Sequence, residues 1–192
     1  MASPDAGDAR WTAEVLQFWF AELQPADWFK RSDAVDESIR QRFMGVHRQV
    51  ALNFPAATQL TPHGTLAAVI VLDQFPRNVF RGSANAFATD AQALALARDA
   101  VDLGYDQAFH GAQAKHERLF LYLPFEHSER LEDQRRSVAL ISALGDDDLT
   151  RFALAHQVII ERFGRFPHRN AALGRVSTPE ELEFLTQPGS GF

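Results

Sequence analysis

The chain has 192 residues, of which 46% are hydrophobic and 23% are charged, and this balance indicates a folded globular protein with a sizeable core. The absence of cysteine excludes disulfides, thiolate metal sites and cysteine nucleophiles. The net charge of −6 argues against nucleic acid as a partner, and the lack of a long apolar run or a signal-like start predicts a soluble, cytoplasmic protein with no membrane partner.

Apolar residues recur at helical spacing along the whole chain, and no segment shows the sustained alternation of a strand. The pattern therefore predicts one all-helical domain over residues 1–192, with a flexible N-terminus over residues 1–10. In chain order, the predicted helices lie near residues 15–23, 35–50, 62–75, 84–103, 116–123, 128–144, 146–163 and from 178 onward. Several of them are expected to pair as helical hairpins.

Two prolines are predicted to end helices. The helix 62–75 is apolar on nearly every side, which is typical of a central and buried helix, and Pro76 follows it directly. Pro124 follows the helix 116–123 in the same way. Because proline lacks a backbone N–H and its ring clashes with the preceding turn, both are expected to stop a helix. Ser128 is the predicted N-cap of the next helix.

The first polar cluster lies at the end of the buried helix, in the string LDQFPRNVFRG. Asp73 and Arg77 are four residues apart, so that helical geometry would place them on one face. A buried carboxylate is costly unless it is paired. One interpretation is a structural clamp that locks the helix end. The other is a ligand pocket lined by Asp73, Gln74, Arg77 and Asn78.

The second polar cluster is the string RFGRFPHRN, which is rich in basic residues although the protein is acidic. Its polar members are Arg162, Arg165, His168, Arg169 and Asn170. Guanidinium groups bind carboxylates and phosphates through paired hydrogen bonds, so one interpretation is an anion site. The alternative is a solvated or acid-paired helix end, since cations favour the C-terminal ends of helices.

Two further histidines are candidates for chemistry. His127 lies between acidic residues in the string PFEHSE, and a histidine beside carboxylates can do acid–base work near neutral pH. Glu129 is a second catalytic candidate there, although positioning is the more common role for such groups. His156 shares a helical face with apolar residues and is either a packed core residue or part of a pocket lining. No metal-binding spacing occurs, so neither a metal nor a cofactor is predicted.

Three strings, LDQFPRNVFRG, FLYLPFEHSE and FGRFPHRNAALGRVST, closely resemble the bacterial domain-of-unknown-function family 924, and the resemblance spans nearly the whole chain. It implies an all-α fold similar to tetratricopeptide repeats, with helical hairpins in a compact right-handed array, and it implies no established reaction. Arg130 stands where the family often has an acid. The matching positions that the resemblance suggests as pocket lining are Asp73, Gln74, Arg77, Asn78, Arg81, His127, Glu129, Arg162, Arg165, His168, Arg169 and Asn170.

The leading hypothesis is a site for a small anionic ligand, a carboxylate or a phosphate, because several arginines gathered together repel one another unless anions balance them. Its guanidinium groups would come from Arg77, Arg162, Arg165 and Arg169. If the site excludes water, Asp73, Glu129 or His127 would supply acid–base catalysis, and the protein would be a hydrolase.

Two other hypotheses remain open. The protein would be a peptide-interaction module if the helical array forms a concave groove. The polar motifs would be purely structural if they lock the helix ends. The ligand hypothesis requires the segments around Asn78, Glu129 and Asn170 to meet in space.

Overall fold

A computed structural model describes residues 5–191, with side chains described for residues 10–57 and 59–191. This part of the chain is helical and contains no strand, which confirms the predicted all-α class. Residues 1–4 of the predicted flexible N-terminus lie outside the described residues, and the first helix begins at Asp5. The right-handed tetratricopeptide-like array stays a prediction.

Contacts between Cα atoms divide the chain into two compact units. Unit 1 comprises Met1–Arg81 and Asn85–Pro124, and unit 2 comprises Gly82–Ala84 and Phe125–Phe192. The single domain expected over residues 1–192 stays a prediction.

Among the described residues, unit 1 contains six whole helices and most of a seventh. The last two residues of the seventh helix belong to unit 2. The helices are α1 (Asp5–Gln17), α2 (Pro25–Trp28), α3 (Asp33–Leu52), α4 (Pro62–Val69), α5 (Phe75–Val79), α6 (Asp90–Asp102) and α7 (Ala114–Glu126). Unit 2 contains three further helices. They are α8 (Leu131–Ser142), α9 (Asp147–Phe163) and α10 (Pro179–Leu185).

The core of unit 1 surrounds α4, which is buried from Gly64 to its end, as predicted for a central helix. The apolar run continues without exposure through Leu72. Aromatic rings pack beside it, with the ring of Phe43 centred 5.1 Å from those of both Phe18 and Phe75. Aromatic pairs at such distances each contribute about 0.5–1.5 kcal/mol beyond the burial of their area, so this cluster fixes the helix end that carries Asp73.

The prediction that Pro76 ends the central helix is wrong. A π-helical turn, Ile70–Gln74, links α4 to α5, and Pro76 lies in the first turn of α5. The backbone N–H groups in the first turn of a helix have no intrahelical acceptor, so a proline, which lacks this group, is tolerated there. The wider π turn therefore lets the chain continue helically past the proline, and single π turns of this kind are frequent at functional or strained positions.

The prediction that Pro124 stops its helix is also wrong, because α7 continues to Glu126 with the proline inside it. In the last turn, the proline removes a single donor. The amide of Gln134 then binds the exposed carbonyl oxygens at the helix end, at 2.6 Å from the backbone oxygens of both Glu126 and Ser128. This side chain replaces backbone partners that a helix end lacks.

Ser128 is not the N-cap of α8, because that position belongs to Arg130. The Ser128 hydroxyl instead donates to Asp133 Oδ2 at 2.7 Å and accepts from the backbone N–H of Arg130 at 3.2 Å. Ser128 therefore orders the turn before the helix through local side-chain hydrogen bonds, a common role for serine.

The helix predicted over residues 84–103 begins later than expected, since a 3₁₀ turn at Ala84–Phe87 precedes α6.

Candidate functional site

In unit 1, Asp73 lies completely buried in the π turn Ile70–Gln74. Arg77 donates from Nη1 to the backbone oxygen of Asp73 at 2.7 Å, and the same nitrogen lies 3.3 Å from Asp73 Oδ1. The guanidinium group also makes two parallel hydrogen bonds to Asp90, at 2.7 and 2.9 Å. Gln74 donates to Asp73 Oδ2 at 2.6 Å. Two carboxylates therefore bind the one guanidinium group.

The charge of Arg77 is fixed by these neighbours. Burial by itself would lower the pKa of Arg77, but the charges of Asp73 and Asp90 and the hydrogen bonds to Asp90 raise the pKa overall. A bidentate arginine–carboxylate pair also fixes the relative orientation of the two side chains. Since Asp90 begins α6, the pair ties α5 to α6, and these contacts favour the structural clamp interpretation.

Asn78 and Arg81 both bind Asp36, which lies in the first turn of α3. Asn78 donates to Asp36 Oδ1 at 2.9 Å, and Arg81 donates from Nη2 to Oδ1 at 2.8 Å and from Nε to Oδ2 at 3.1 Å. Sequence reasoning missed Asp36, because 42 and 45 residues separate it from its partners. It is the acid that neutralises the second arginine of the motif.

Two open depressions in unit 1 lie away from these residues. One, with a volume of about 300 Å³, is lined by Ala56, Ala57, Asp99, Asp102 and Leu103. The other, of about 280 Å³, is lined by Trp11, Gln49, Val50, Asn53, Pro55 and Leu60. Both are at or below the small end of the range for ligand pockets, and neither includes a predicted site residue.

The interior of unit 2 is unusually polar. Among its described residues, seven apolar side chains are buried, namely Phe125, Ile141, Ala153, Ile159, Ile160, Phe166 and Pro167. Eight polar or charged side chains are buried by the same measure, namely Glu126, Asp133, Gln134, Ser137, His156, Arg169, Asn170 and Glu181. Buried polar groups cost stability unless they are hydrogen-bonded, so this interior is the more informative place to look for a site.

Glu129 is held by strong contacts. Its carboxylate makes two hydrogen bonds with Arg175, at 2.7 and 2.9 Å, and accepts from the backbone N–H of Phe166 at 2.8 Å. Burial would raise the pKa of Glu129, but the hydrogen bonds from Arg175 and Phe166 and the charges of Arg175 and Arg169 lower it overall. A carboxylate with these partners stays ionised and bound, which favours a structural role for Glu129 over acid–base catalysis.

Glu181 joins the last helix to the second polar cluster. It accepts two hydrogen bonds from Arg165, at 2.6 and 2.8 Å, one from the backbone N–H of Thr178 at 2.7 Å and one from Asn170 at 3.3 Å. The hydrogen bond from Arg165 is the largest cause that lowers the pKa of Glu181 to about 2. Asn170 also accepts from Arg175 at 2.9 Å, so one network connects Glu129, Asn170 and Glu181.

Arg162 lies on the surface and is paired there. Its Nε and Nη2 atoms each lie 2.8 Å from Glu180 Oε1, and its guanidinium group stands 4.7 Å from the centre of the Phe163 ring. The acid-paired alternative for this part of the motif is therefore the one that the contacts favour for Arg162 and Arg165.

Three further basic residues of unit 2 lie around Phe166. The Arg169 guanidinium lies 4.4 Å from the centre of the Phe166 ring, and the rings of His156 and His168 are each centred 5.6 Å from it. His127 lies close enough for its charge, like those of His168 and Arg169, to act on His156. We call His127, His156, His168 and Arg169 the histidine–arginine cluster.

His156 is neutral in this cluster. Its Nδ1 atom lies 2.9 Å from the backbone oxygen of Phe152 and 3.4 Å from Glu126 Oε1. Burial is the main cause that lowers the pKa of His156 to about 3; the charges of His127, Arg169 and His168 add to it, and the Phe152 hydrogen bond opposes it. The contact with Glu126 is therefore not a charged pair at neutral pH.

Gln134 and Ser137 add two buried oxygens to this interior. Both side chains are fully buried, one turn apart on α8, which packs against α9. Gln134 Oε1 and Ser137 Oγ have no hydrogen-bond partner among the described residues. The amide nitrogen of Gln134 binds the carbonyl oxygens on either side of His127, which places Gln134 beside the cluster. Unsatisfied buried groups in native proteins call for an explanation, such as a bound polar molecule.

Over the part of the chain that the structure describes, no group of three or more histidine, aspartate and glutamate residues is arranged to hold a metal ion. None of the described helices has both the length and the apolar character needed to cross a membrane.

The family described as "Bacterial protein of unknown function (DUF924)" matches residues 15–189. The chain belongs to this family. A solved structure of a protein of unknown function from Agrobacterium tumefaciens, 39% identical, is similar with a TM-score of 0.84, covering 92% of this chain and 97% of that chain. A comparison with curated proteins finds no match. Membership of the DUF924 family confirms the resemblance seen in the motifs, and it names no reaction.

The structure brings only part of the predicted set together. Glu129 and Asn170 meet through Arg175 in unit 2, whereas Asn78 binds Asp36 in unit 1. The meeting of all three family segments stays a prediction. Sequence reasoning missed the role of Arg175, although it lies within the third family string. It also missed the role of Glu181, because nothing in the sequence indicated its pairing with Arg165.

Proposed function

We propose that unit 2 binds a small anion, a carboxylate or a phosphate, at the histidine–arginine cluster. The observation that carries this proposal is the gathering of one guanidinium and two imidazole groups around the ring of Phe166, with the charge of a third imidazole, that of His127, acting on His156. Guanidinium groups match the geometry of carboxylate and phosphate oxygens, and imidazoles supply further donors or acceptors.

The exposure of the cluster suits a ligand that enters from one side. His127 and His168 are partly exposed, whereas His156 and Arg169 are buried. A solute would therefore meet the two outer histidines first and be held by the inner pair. An electrostatic interaction is stronger in such a partly desolvated place than in water.

Basic groups gather at the cluster. Burial is the main cause that lowers the pKa of His156, and the charges of His127, Arg169 and His168 add to it. An anion bound at the cluster would lessen this repulsion.

The test is thermal unfolding in the presence of inorganic phosphate and of citrate. A ligand at a hundred times its dissociation constant stabilises the native state by about 2.7 kcal/mol, so a clear rise in Tm is expected for the wild type. His127→Asn and Arg169→Gln should reduce the rise. Arg151→Ala, which changes an exposed arginine of α9 paired with Asp148, should retain it.

Absence of a rise with either anion, or a rise undiminished in both cluster variants, contradicts the proposal. His127→Asn keeps the test valid if the buried Arg169 variant does not fold. Hydrolysis at the site and the binding of a peptide through its terminal carboxylate stay predictions, and the contacts of Glu129 and Asp73 leave His127 as the acid–base candidate that such a reaction would use.

A further inference from the structure

The solvent-facing side of α9 carries apolar residues where a surface helix normally carries polar ones. Leu154 and Val158 lie four residues apart and are 44% and 56% exposed. Ala155, between them, is half-buried. The buried residues of the same helix, among them His156 and Ile160, are turned away from solvent. The exposed apolar patch therefore lies outside the core, on the side of α9 opposite to His156.

Two charged residues extend this patch into a regular line, which we call the α9 stripe. It consists of Arg151, Leu154, Val158 and Glu161, which follow one another at intervals of three, four and three residues. All four are exposed. An alternation of three and four is the spacing of a coiled-coil seam, which keeps one line of side chains facing a partner helix. The stripe thus has an apolar centre, a cation at one end and an anion at the other.

The α9 stripe is complementary to itself when a second copy is turned end to end. Leu154 and Val158 are each two residues from position 156, and the two charged residues are each five residues from it. In an antiparallel pair with a two-fold axis at that level, each residue faces its counterpart across the axis. Leu154 then meets Val158 of the second copy, and Arg151 meets Glu161 of the second copy. Both contacts occur twice, so that two ion pairs flank an apolar centre.

A parallel arrangement is disfavoured by the same charges. Each residue would then face its own copy, so that arginine would meet arginine and glutamate would meet glutamate, and like charges set against each other oppose association. In the single chain, Arg151 lies 3.0 Å from Asp148, and Glu161 accepts from Gln157 at 2.8 Å. Exposed local contacts of this kind contribute little free energy, so a facing helix can share or replace them.

We propose that α9 forms the centre of a homodimer interface, in which the α9 stripe packs antiparallel against the same stripe of a second copy. A standard interface contains about 20–30 residues a side, and the stripe supplies far fewer. The dimer should therefore be reversible, with a dissociation constant in the micromolar to millimolar range. This proposal does not depend on the anion site, because His156 lies on the other side of α9.

The test is sedimentation equilibrium of the full chain at protein concentrations from about 1 µM to about 1 mM. The average mass of the wild type should rise from that of one chain toward that of two. Leu154→Asp should stay monomeric over this range, because it places a charge in the apolar centre. The matched control is Leu182→Asp, which changes an exposed leucine of α10 and should dimerise like the wild type.

Charge reversal tests the antiparallel register. Arg151→Glu should weaken the dimer at least about tenfold, because it sets two carboxylates against each other at each end of the interface. Glu161→Arg should weaken it in the same way through paired cations. The double variant Arg151→Glu/Glu161→Arg restores opposite charges and should recover the wild-type affinity. Arg135→Glu makes the same charge change at an exposed position of α8 and should leave the affinity unchanged.

A wild type that stays monomeric up to about 1 mM overturns the proposal and leaves the stripe to another occupant, such as a helix of a different protein. A dimer that Leu154→Asp does not weaken overturns it too, since the copies then meet elsewhere. Failure of the double variant to recover overturns the antiparallel register. Far-UV circular dichroism checks folding, and the charge-reversed variants decide the matter if Leu154→Asp does not fold.

Discussion

His156 donates its Nδ1–H to the backbone oxygen of Phe152 across 2.9 Å, one turn earlier on α9. This contact holds the imidazole in one tautomer inside a unit that buries more polar than apolar side chains. A histidine kept neutral by burial contributes to stability in a way that depends on pH, and this dependence is measurable.

Between pH 6.5 and about 3, the unfolded chain binds a proton at His156 that the folded chain does not, because the folded pKa is lowered from 6.5 to about 3. Stability should therefore fall as the pH falls through this window, by roughly 1.4 kcal/mol per pH unit from this group. Urea unfolding between pH 6.5 and 5.5 measures the slope mostly above the range in which carboxylates titrate.

His156→Gln should flatten the pH dependence in that window, whereas His110→Gln, at an exposed position, should keep the wild-type slope. A variant at position 156 with the same slope as the wild type would show that this histidine titrates alike in the folded and unfolded chains.

Arg77→Ala should destabilise the protein by about 3–5 kcal/mol, because it leaves the buried carboxylate of Asp73 without its cation. The stability of Arg77→Lys should lie between those of Arg77→Ala and the wild type, since lysine keeps the charge but not the two parallel hydrogen bonds to Asp90. Arg31→Ala removes an exposed cation with a 3.5 Å contact and should change stability by about 0.5 kcal/mol or less. Unfolding by urea distinguishes these outcomes, and an unchanged midpoint in Arg77→Ala would contradict the clamp interpretation.

Asp36→Ala removes the acceptor shared by Asn78 and Arg81. The expected loss is about 2–3 kcal/mol, less than for a fully buried pair because Arg81 is partly exposed. The matched control is Asp33→Ala, an exposed acid in the same first turn, which loses a helix-dipole contribution of about 0.3–1 kcal/mol and a weak, exposed contact with Arg31. Equal urea midpoints for the two variants would argue that Asp36 has no clamping role.

Glu181→Gln should loosen α10, because it removes the charge that binds Arg165 and weakens the hydrogen bonds from Thr178 and Asn170. Charged hydrogen bonds of this kind contribute about 1.5–3 kcal/mol each. Hydrogen exchange of the backbone amides in α10 should accelerate in this variant. The control is Glu180→Gln, an exposed neighbour, and similar exchange in both would contradict the prediction.

Folding stabilises the ionised form of Glu181, whereas it stabilises the neutral form of His156. Both effects make the protein less stable as the pH falls. The pKa of Glu181 is lowered from 4.5 to about 2, so its contribution is complete above pH 4.5 and is lost as the pH falls toward 2. The protection factors of the α10 amides, which correct for the pH dependence of intrinsic exchange, should thus remain high at pH 5 and fall below pH 4.5. A fall already between pH 6.5 and 5 would assign the effect to another group.

The sequence allowed the helical class to be predicted because the apolar period is a local property. It did not allow the helix ends at Pro76 and Pro124 to be predicted, since a π turn and the side chain of Gln134 accommodate these prolines. Local rules predict where a proline costs a hydrogen bond, and tertiary contacts decide whether the helix continues.

The same division holds for the site. The pairing of Asp73 with Arg77 was predictable from a four-residue spacing, which geometry makes a contact. The partners Asp90, Asp36 and Glu181 were not, because they lie 13 to 45 residues from the arginines that they bind. Only the three-dimensional structure identifies these acids as the partners of Arg77, Arg81 and Arg165.

The central claim is that an anion occupies the histidine–arginine cluster of unit 2. The most direct measurement is an NMR titration of the imidazole ¹⁵N and ¹H resonances with inorganic phosphate. The account predicts saturable shifts of His127, His156 and His168, with little change at His63 or His110. Shifts confined to those two histidines, or no saturable shift at any, would contradict it.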